Sequence, residues 1–139
     1  MALFATMERQ KSEEFRLRSF RLRGERMTKA QAGAIDQHLS EFEIPLDRPI
    51  ELEKIFPRDK YQEIVCEIGS GMGEASSQIA FENPASGYLA VEVHKPGIGA
   101  LLIRANNLGV KNLRVINEDI YLVLNENIAD LSFDAFHIF

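Results

Sequence analysis

With 139 residues, 45% of them hydrophobic and 27% charged, the chain has room for one globular domain with a real core and too little for two of ordinary size. No stretch approaches a membrane span, the opening MALFATMERQ lacks the apolar run of a signal peptide, and the single Cys66 excludes an internal disulfide, so a cytoplasmic protein is expected. The net charge of −5 conceals an asymmetry: residues 1–29 carry eight Lys and Arg against four Glu, and residues 30–139 carry eight against seventeen acids.

The basic start includes RLRSFRLRGERMTK, with Arg16, Arg18, Arg21, Arg23, Arg26 and Lys29 spaced around Phe20. Cations on an arm with an aromatic among them suit phosphate contacts, and a solvated terminus is the alternative. Residues 1–27 are read as this arm and 28–60 as a helical lead-in and linker. Thr28 is placed to cap a helix over KAQAGAIDQHLSEF, whose Ala, Ile and Leu recur at helical spacing. Pro45 and Pro49 interrupt that pattern, leaving a loop with a short turn near Leu52 to Phe56.

From Tyr61 the chain alternates. YQEIVCEI predicts the first strand, GMGEASSQIAFEN a helix, and GYLAVEV the second strand. KPGIGALLIRANNLG predicts the next helix, with Pro96 near its first turn and Gly109 just past its end. NLRVIN, DIYLVLNENI and SFDAFHIF predict a third strand, a third helix and a fourth strand. Strands alternating with helices imply parallel crossovers and an open α/β sheet over residues 61–139.

Between the first strand and its helix, Gly69, Gly71 and Gly73 permit a sharp turn and close approach of a ligand, with helix N–H groups behind it. Dinucleotide enzymes and methyltransferases both use this device, and a tight structural turn would also explain it. The dinucleotide fingerprint wants glycine where Glu74 stands, and Glu67 adds a second acid before the turn. Acids there repel a pyrophosphate and suit a ligand carrying an ammonium and a sulfonium, as S-adenosylmethionine does. Glu92, ending the second strand, can accept ribose hydroxyls, a feature shared with NAD sites. Asp119, after the third strand, can accept from an adenine amino group, cap a helix, or do both.

RSFRLRGERMTKAQ at 18–31, EIGSGMGE at 67–74, VEVHKPGIGALL at 91–102, NLRVINEDI at 112–120 and the closing HIF together resemble the bacterial tRNA (guanine-N7)-methyltransferase family. The resemblance implies a class I methyltransferase with a Rossmann-like sheet that transfers a methyl group from S-adenosylmethionine to N7 of a guanine in the tRNA variable loop. It implies cofactor binding by Glu67, Glu92 and Asp119 with Gly69, Gly71 and Gly73. Arg21, Arg23, Arg26, Lys29, His94 and Lys95 are the candidates for the substrate side, with His94 either ordering its loop or touching substrate. His38, His137 and Cys66 read as ordinary helix, strand and core residues.

The family continues with a Pro-Asp-Pro-Trp motif, whose Asp is its active-site residue, and a basic stretch that helps bind tRNA. This chain stops short of both, and Asp134 does not match that Asp, so no residue here is assigned the catalytic role. The expectation is an N-terminal part truncated after the fourth strand, with order 3-2-1-4, an open apolar edge at FDAFHIF, weak stability and impaired activity. A missing C-terminal half or partner chain would complete it. The competing readings are a non-catalytic cofactor-binding module and, against Glu74, a fragment of an NAD-dependent oxidoreductase.

Overall fold

The computed structural model describes residues 26–127 and 133–139. Most of the basic arm, including Arg21 and Arg23, lies outside them.

Helix α1 spans Lys29–Phe42 and begins as its sequence predicts. The Thr28 hydroxyl accepts from the Gln31 amide at 3.1 Å, and the Gln31 side chain accepts from the Thr28 amide at 3.0 Å. This reciprocal box satisfies two donors that a helix start otherwise leaves open. A single helical turn, α2, follows at Leu52–Ile55. The alternating part comprises β1 (Glu63–Ile68), α3 (Glu74–Glu82), β2 (Ser86–Val91), α4 (Lys95–Leu108), β3 (Leu113–Ile116), the short α5 (Ile120–Leu122) and β4 (Ala135–Ile138).

The four strands of the described residues are parallel, as the alternation implies, and stand in the order β3-β2-β1-β4 that the family resemblance implies. Side chains alternate across the sheet and divide the core in two. On one face Val65, Tyr88, Ala90, Leu113 and Val115 pack under α1, α3 and α4. On the other, Ile64, Cys66, Leu89, Val91 and Ile116 meet Phe56, Tyr61, Leu52 and Val123. Leu101 and Leu102 of α4 are fully buried, each contributing about 1.5–3 kcal/mol. α1 lies along α4, and the segment after it joins the sheet through the Ile44 amide, which donates to Val115 O at 3.1 Å.

Several boundaries differ from expectation, β2, β3 and β4 among them by one to three residues, and three have a local reason. β1 starts at Glu63 because the Tyr61 amide is taken by Pro57 O at 2.8 Å. α3 starts at Glu74, since Gly71 to Gly73 are spent on the turn. The third helix is α-helical only over Ile120–Leu122 and widens to a π turn over Val123–Asn127. There Asn125 Nδ2 donates to Tyr121 O at 2.7 Å, occupying the carbonyl that would accept from the Asn125 amide in a regular helix.

β4 pairs with β1 and forms one edge of the sheet. Asp134 anchors its start: one carboxylate oxygen accepts from the Ile64 amide at 2.7 Å and from Arg58 at 2.6 Å. These bonds, the backbone one foremost, hold its carboxyl below the usual range. The expected apolar edge is present, with Ile138 79% exposed and Phe136 and Phe139 about half exposed. No helix among the described residues is long and apolar enough to cross a membrane.

Candidate functional site

The carboxyl ends of β1, β2 and β3 lie side by side, so the residues that follow each strand share one rim of the sheet. After β1 the chain turns through Gly69, Gly71 and Gly73, all with positive φ (70°, 58° and 74°). The turn closes through the Gly73 amide, which donates to Ser70 O at 2.9 Å. Side-chain atoms added to these glycines would meet different fates. At Gly73 a Cβ would collide with Leu101 at 2.5 Å, so this glycine lets α3 pack against α4. At Gly71 nothing lies within 4 Å, and at Gly69 only Phe139 O at 3.7 Å. Gly69 and Gly71 are thus exposed and open on their side-chain face, where an approaching ligand would meet backbone alone.

Gly97, in the first turn of α4, is the counterpart. A Cβ there would come within 2.2 Å of Gly71 O, so the helix start presses directly on the glycine turn. Glu92 completes the clamp. Its Oε2 accepts from the Gly71 amide at 2.9 Å and its Oε1 from the His94 amide at 3.0 Å. One buried carboxylate therefore fixes the turn after β1 relative to the helix after β2. Asn117, after β3, extends the rim by donating from Nδ2 to Glu92 O at 2.8 Å and Val93 O at 3.1 Å.

Glu67 is handled differently. It is fully buried at the end of β1, pointing to the same side as Val65, beneath α3. Neither carboxylate oxygen has a hydrogen-bond partner among the described residues. The nearest cationic candidate, His137 Nδ1, lies 3.7 Å from Oε1, placed there by the register that sets Glu67 opposite His137 on β4. Burial pushes the Glu67 carboxyl upward, with the Ser76 hydroxyl and His137 pulling the other way. Ser70 Oγ, Ser76 Oγ and His137 Nδ1 are buried and unpartnered as well. Buried polar atoms are almost always paired, so this group, in which Ser76 and His137 both bear on Glu67, is the exception among the strand ends.

Asp119 caps α5: its Oδ1 accepts from the Tyr121 amide at 2.9 Å, and the residue is 1% exposed. His94 is the half-buried N-cap residue of α4, and Lys95 is the exposed first residue of that helix. Both adjoin the rim. Arg26 and Lys29 are exposed at the other helix, before and at the start of α1. Lys29 lines a recess of about 350 Å³ between α1 and α4 together with His38, Asn106 and Asn107.

Sequence reasoning missed the approach of His137 to Glu67 and the Gly71–Gly97 contact. The first was within reach, since strand order 3-2-1-4 sets the last residues of EIVCEI beside HIF. The second was not, because it depends on how closely one helix start approaches a turn 24 positions upstream.

A family model described as "Putative methyltransferase" matches residues 61–139, which is the whole alternating part of the chain. The tRNA (guanine-N(7)-)-methyltransferase of Nitrosomonas eutropha is 42% identical over 124 residues, covering 88% of this chain and 54% of that protein. The enzyme of the same name from Methylobacillus flagellatus is 41% identical over 124 residues, with 88% and 52% covered. That from Pseudomonas fluorescens strain Pf0-1 is 38% identical over 135 residues, with 96% and 55% covered. The chain spans about half the length of these curated relatives. The parallel sheet, the glycine turn and these matches lead to one conclusion: the chain belongs to this methyltransferase family.

Proposed function

We propose that the chain carries the cofactor-binding part of a tRNA (guanine-N7)-methyltransferase and that its cofactor is S-adenosylmethionine. The observation that carries the cofactor reading is Glu67, a buried acid with two unpartnered oxygens beside a turn whose glycines are open. An anion left this way is destabilised until a cation or donor reaches it, and a ligand with an ammonium and a sulfonium supplies what is lacking. The residues fit that group. Glu67 and the faces of Gly69 and Gly71 would hold its charged end. Glu92 uses each oxygen once on a backbone amide and keeps acceptor capacity for ribose hydroxyls. Asp119, while capping α5, stands at the next strand end for the adenine amino group.

When bound, the cofactor supplies an electrophilic methyl group. Guanine N7 has a lone pair and no proton, so the attack requires no general base. The chain's own contribution is alignment and exclusion of water, which can account for several kcal/mol of barrier lowering. Arg21, Arg23, Arg26, Lys29, His94 and Lys95 would serve the RNA side, the cations through phosphate contacts. None of them is given a catalytic role. A protein acting on tRNA would work in the cytoplasm.

Calorimetric titration of the 139-residue chain with S-adenosylmethionine, with NADH as the control, tests the cofactor. Binding of the first alone is expected, with Glu67→Gln weakening it by tenfold or more. Binding of NADH alone, or equal binding by Glu67→Gln, would overturn the assignment. Methyl incorporation at guanine N7 of a tRNA, measured on a protein of the relatives' full length with this sequence as its N-terminal part, tests the reaction.

A further inference from the structure

The amino ends of the strands, the opposite rim of the sheet, form a recess of about 390 Å³. It opens between the end of α1, α2, the Pro57–Tyr61 turn and the loop before β3. It lies one strand length from the glycine turn, roughly 20 Å along β1. Its floor is apolar and rigid: Phe42, Tyr61 and Val110 are buried, and the Pro57–Tyr61 turn is closed by the Lys60 and Tyr61 amides donating to Pro57 O. Its walls are cationic. Lys54, Lys60, Lys111 and Arg114 line it against a single acid, Glu41.

That balance is unusual in this molecule, where residues 30–139 carry eight cations against seventeen acids. Half of those eight cations meet in one recess. Folding does not account for the gathering. Among the described residues the four form one ion pair, Lys54 with Glu51. Lys60 Nζ stands 5.4 Å above the Tyr61 ring, and no ion pair is formed by Lys111 or Arg114. Arg114 is held in place by its own strand start, donating from one terminal nitrogen to Leu113 O at 2.8 Å and Lys111 O at 3.3 Å. A guanidinium fixed through one nitrogen keeps further donors in a rigid fork suited to an oxyanion. Like charges gathered at the mouth of one recess repel one another and project a positive potential outward, and an anion reverses both effects.

We propose that this recess is a second ligand site, separate from the cofactor rim, that takes a phosphoryl group between Arg114, Lys111 and Lys60. Its volume admits a phosphorylated small molecule and its open mouth equally admits one phosphate of an RNA strand.

The two sources are separated by titrating the 139-residue chain in low salt with pyrophosphate and with a short single-stranded RNA lacking terminal phosphates. The variant is the double substitution Lys60→Gln with Lys111→Gln, both exposed and outside the cofactor rim, with circular dichroism and urea unfolding to confirm an unchanged fold. A tenfold or greater loss of pyrophosphate binding assigns the site to a free phosphorylated ligand. The same loss confined to the RNA assigns it to a phosphodiester backbone. Glu41→Gln serves as the opposite-sign variant and is expected to tighten whichever ligand binds by severalfold. Absence of binding by either probe, or binding indifferent to both the double variant and Glu41→Gln, would overturn the proposal.

Discussion

Asn112 and Glu67 are both polar and both buried on opposite rims of one sheet, and the fold treats them in contrary ways. Asn112, just before β3, spreads its amide over three carbonyls, donating to Ser86 O at 2.8 Å, Ala80 O at 2.9 Å and Asn83 O at 3.0 Å. Its backbone carbonyl, separately, accepts from the Tyr88 amide at 2.8 Å. A single side chain thereby ties the end of α3 and the start of β2 to the start of β3. Glu67 carries a potential charge and has neither oxygen satisfied. A saturated buried polar group holds elements together, whereas an unsaturated one costs stability until a ligand arrives. Asn112 therefore serves the fold, whereas Glu67 is the group we propose is kept for a ligand.

Removing the saturated group should have the largest effect. Asn112→Ala removes the side-chain donor shared by three carbonyls, of which Ala80 O and Asn83 O keep a backbone amide, and should lower unfolding free energy by about 1–3 kcal/mol. Urea unfolding followed by circular dichroism measures it, at an S-adenosylmethionine affinity per folded molecule that stays unchanged. A loss under about 0.5 kcal/mol would erase the contrast between the two rims.

Glu67→Gln should act with the opposite sign. Burial raises the Glu67 carboxyl above its ordinary value of 4.5. Between 4.5 and the raised folded value the native state holds a proton that the unfolded chain has released, so stability falls as pH rises through that window. Gln cannot ionise. The variant should then be more stable than the parent at pH 7, by about 1–2 kcal/mol. The advantage should shrink toward zero below pH 4.5, where the parent carboxyl is protonated in both states. Urea midpoints of the two proteins across pH 4–8 give the comparison, and a variant less stable at pH 7 would show that Glu67 is satisfied after all. Gained stability with lost cofactor binding is the signature of a residue kept for a ligand.

The contrast also explains how far the sequence could be read. Hydrophobic alternation, Thr28, Pro96 and Gly109 made the elements and their parallel pairing legible, because those signals are local or depend on connection rules, while the strand order came from the family resemblance. Glu67, Glu92 and Asp119 could be placed at strand ends because each falls within three residues of one. What stayed hidden is pairwise and long-range. Nothing local marks Asn112 as a three-way donor, since its partners at 80, 83 and 86 are backbone carbonyls without side-chain identity. His137 looked like any strand residue until the register set it against Glu67. The recess at the amino rim joins cations from positions 54, 60, 111 and 114, two pairs more than 50 residues apart.

Cys66 sharpens the comparison from its smallest side, since it is the residue next to Glu67 and faces the opposite half of the core. It is fully buried against Ile64, Leu89 and Val91, and burial first, with the neighbouring Glu67 adding to it, pushes the thiol up to about 12. Only the thiolate is an efficient nucleophile, so at pH 8 roughly one molecule in ten thousand is reactive, and that thiol is shielded from solvent as well. Iodoacetamide at pH 8 should leave Cys66 unmodified in the folded chain over the time in which urea-unfolded chain is fully alkylated, as read by intact mass. Glu67→Gln should leave this protection in place, because the larger part of the shift comes from burial. Rapid alkylation of the folded parent would mean that β1 opens, and the unpaired Glu67 would then meet water rather than wait for a ligand.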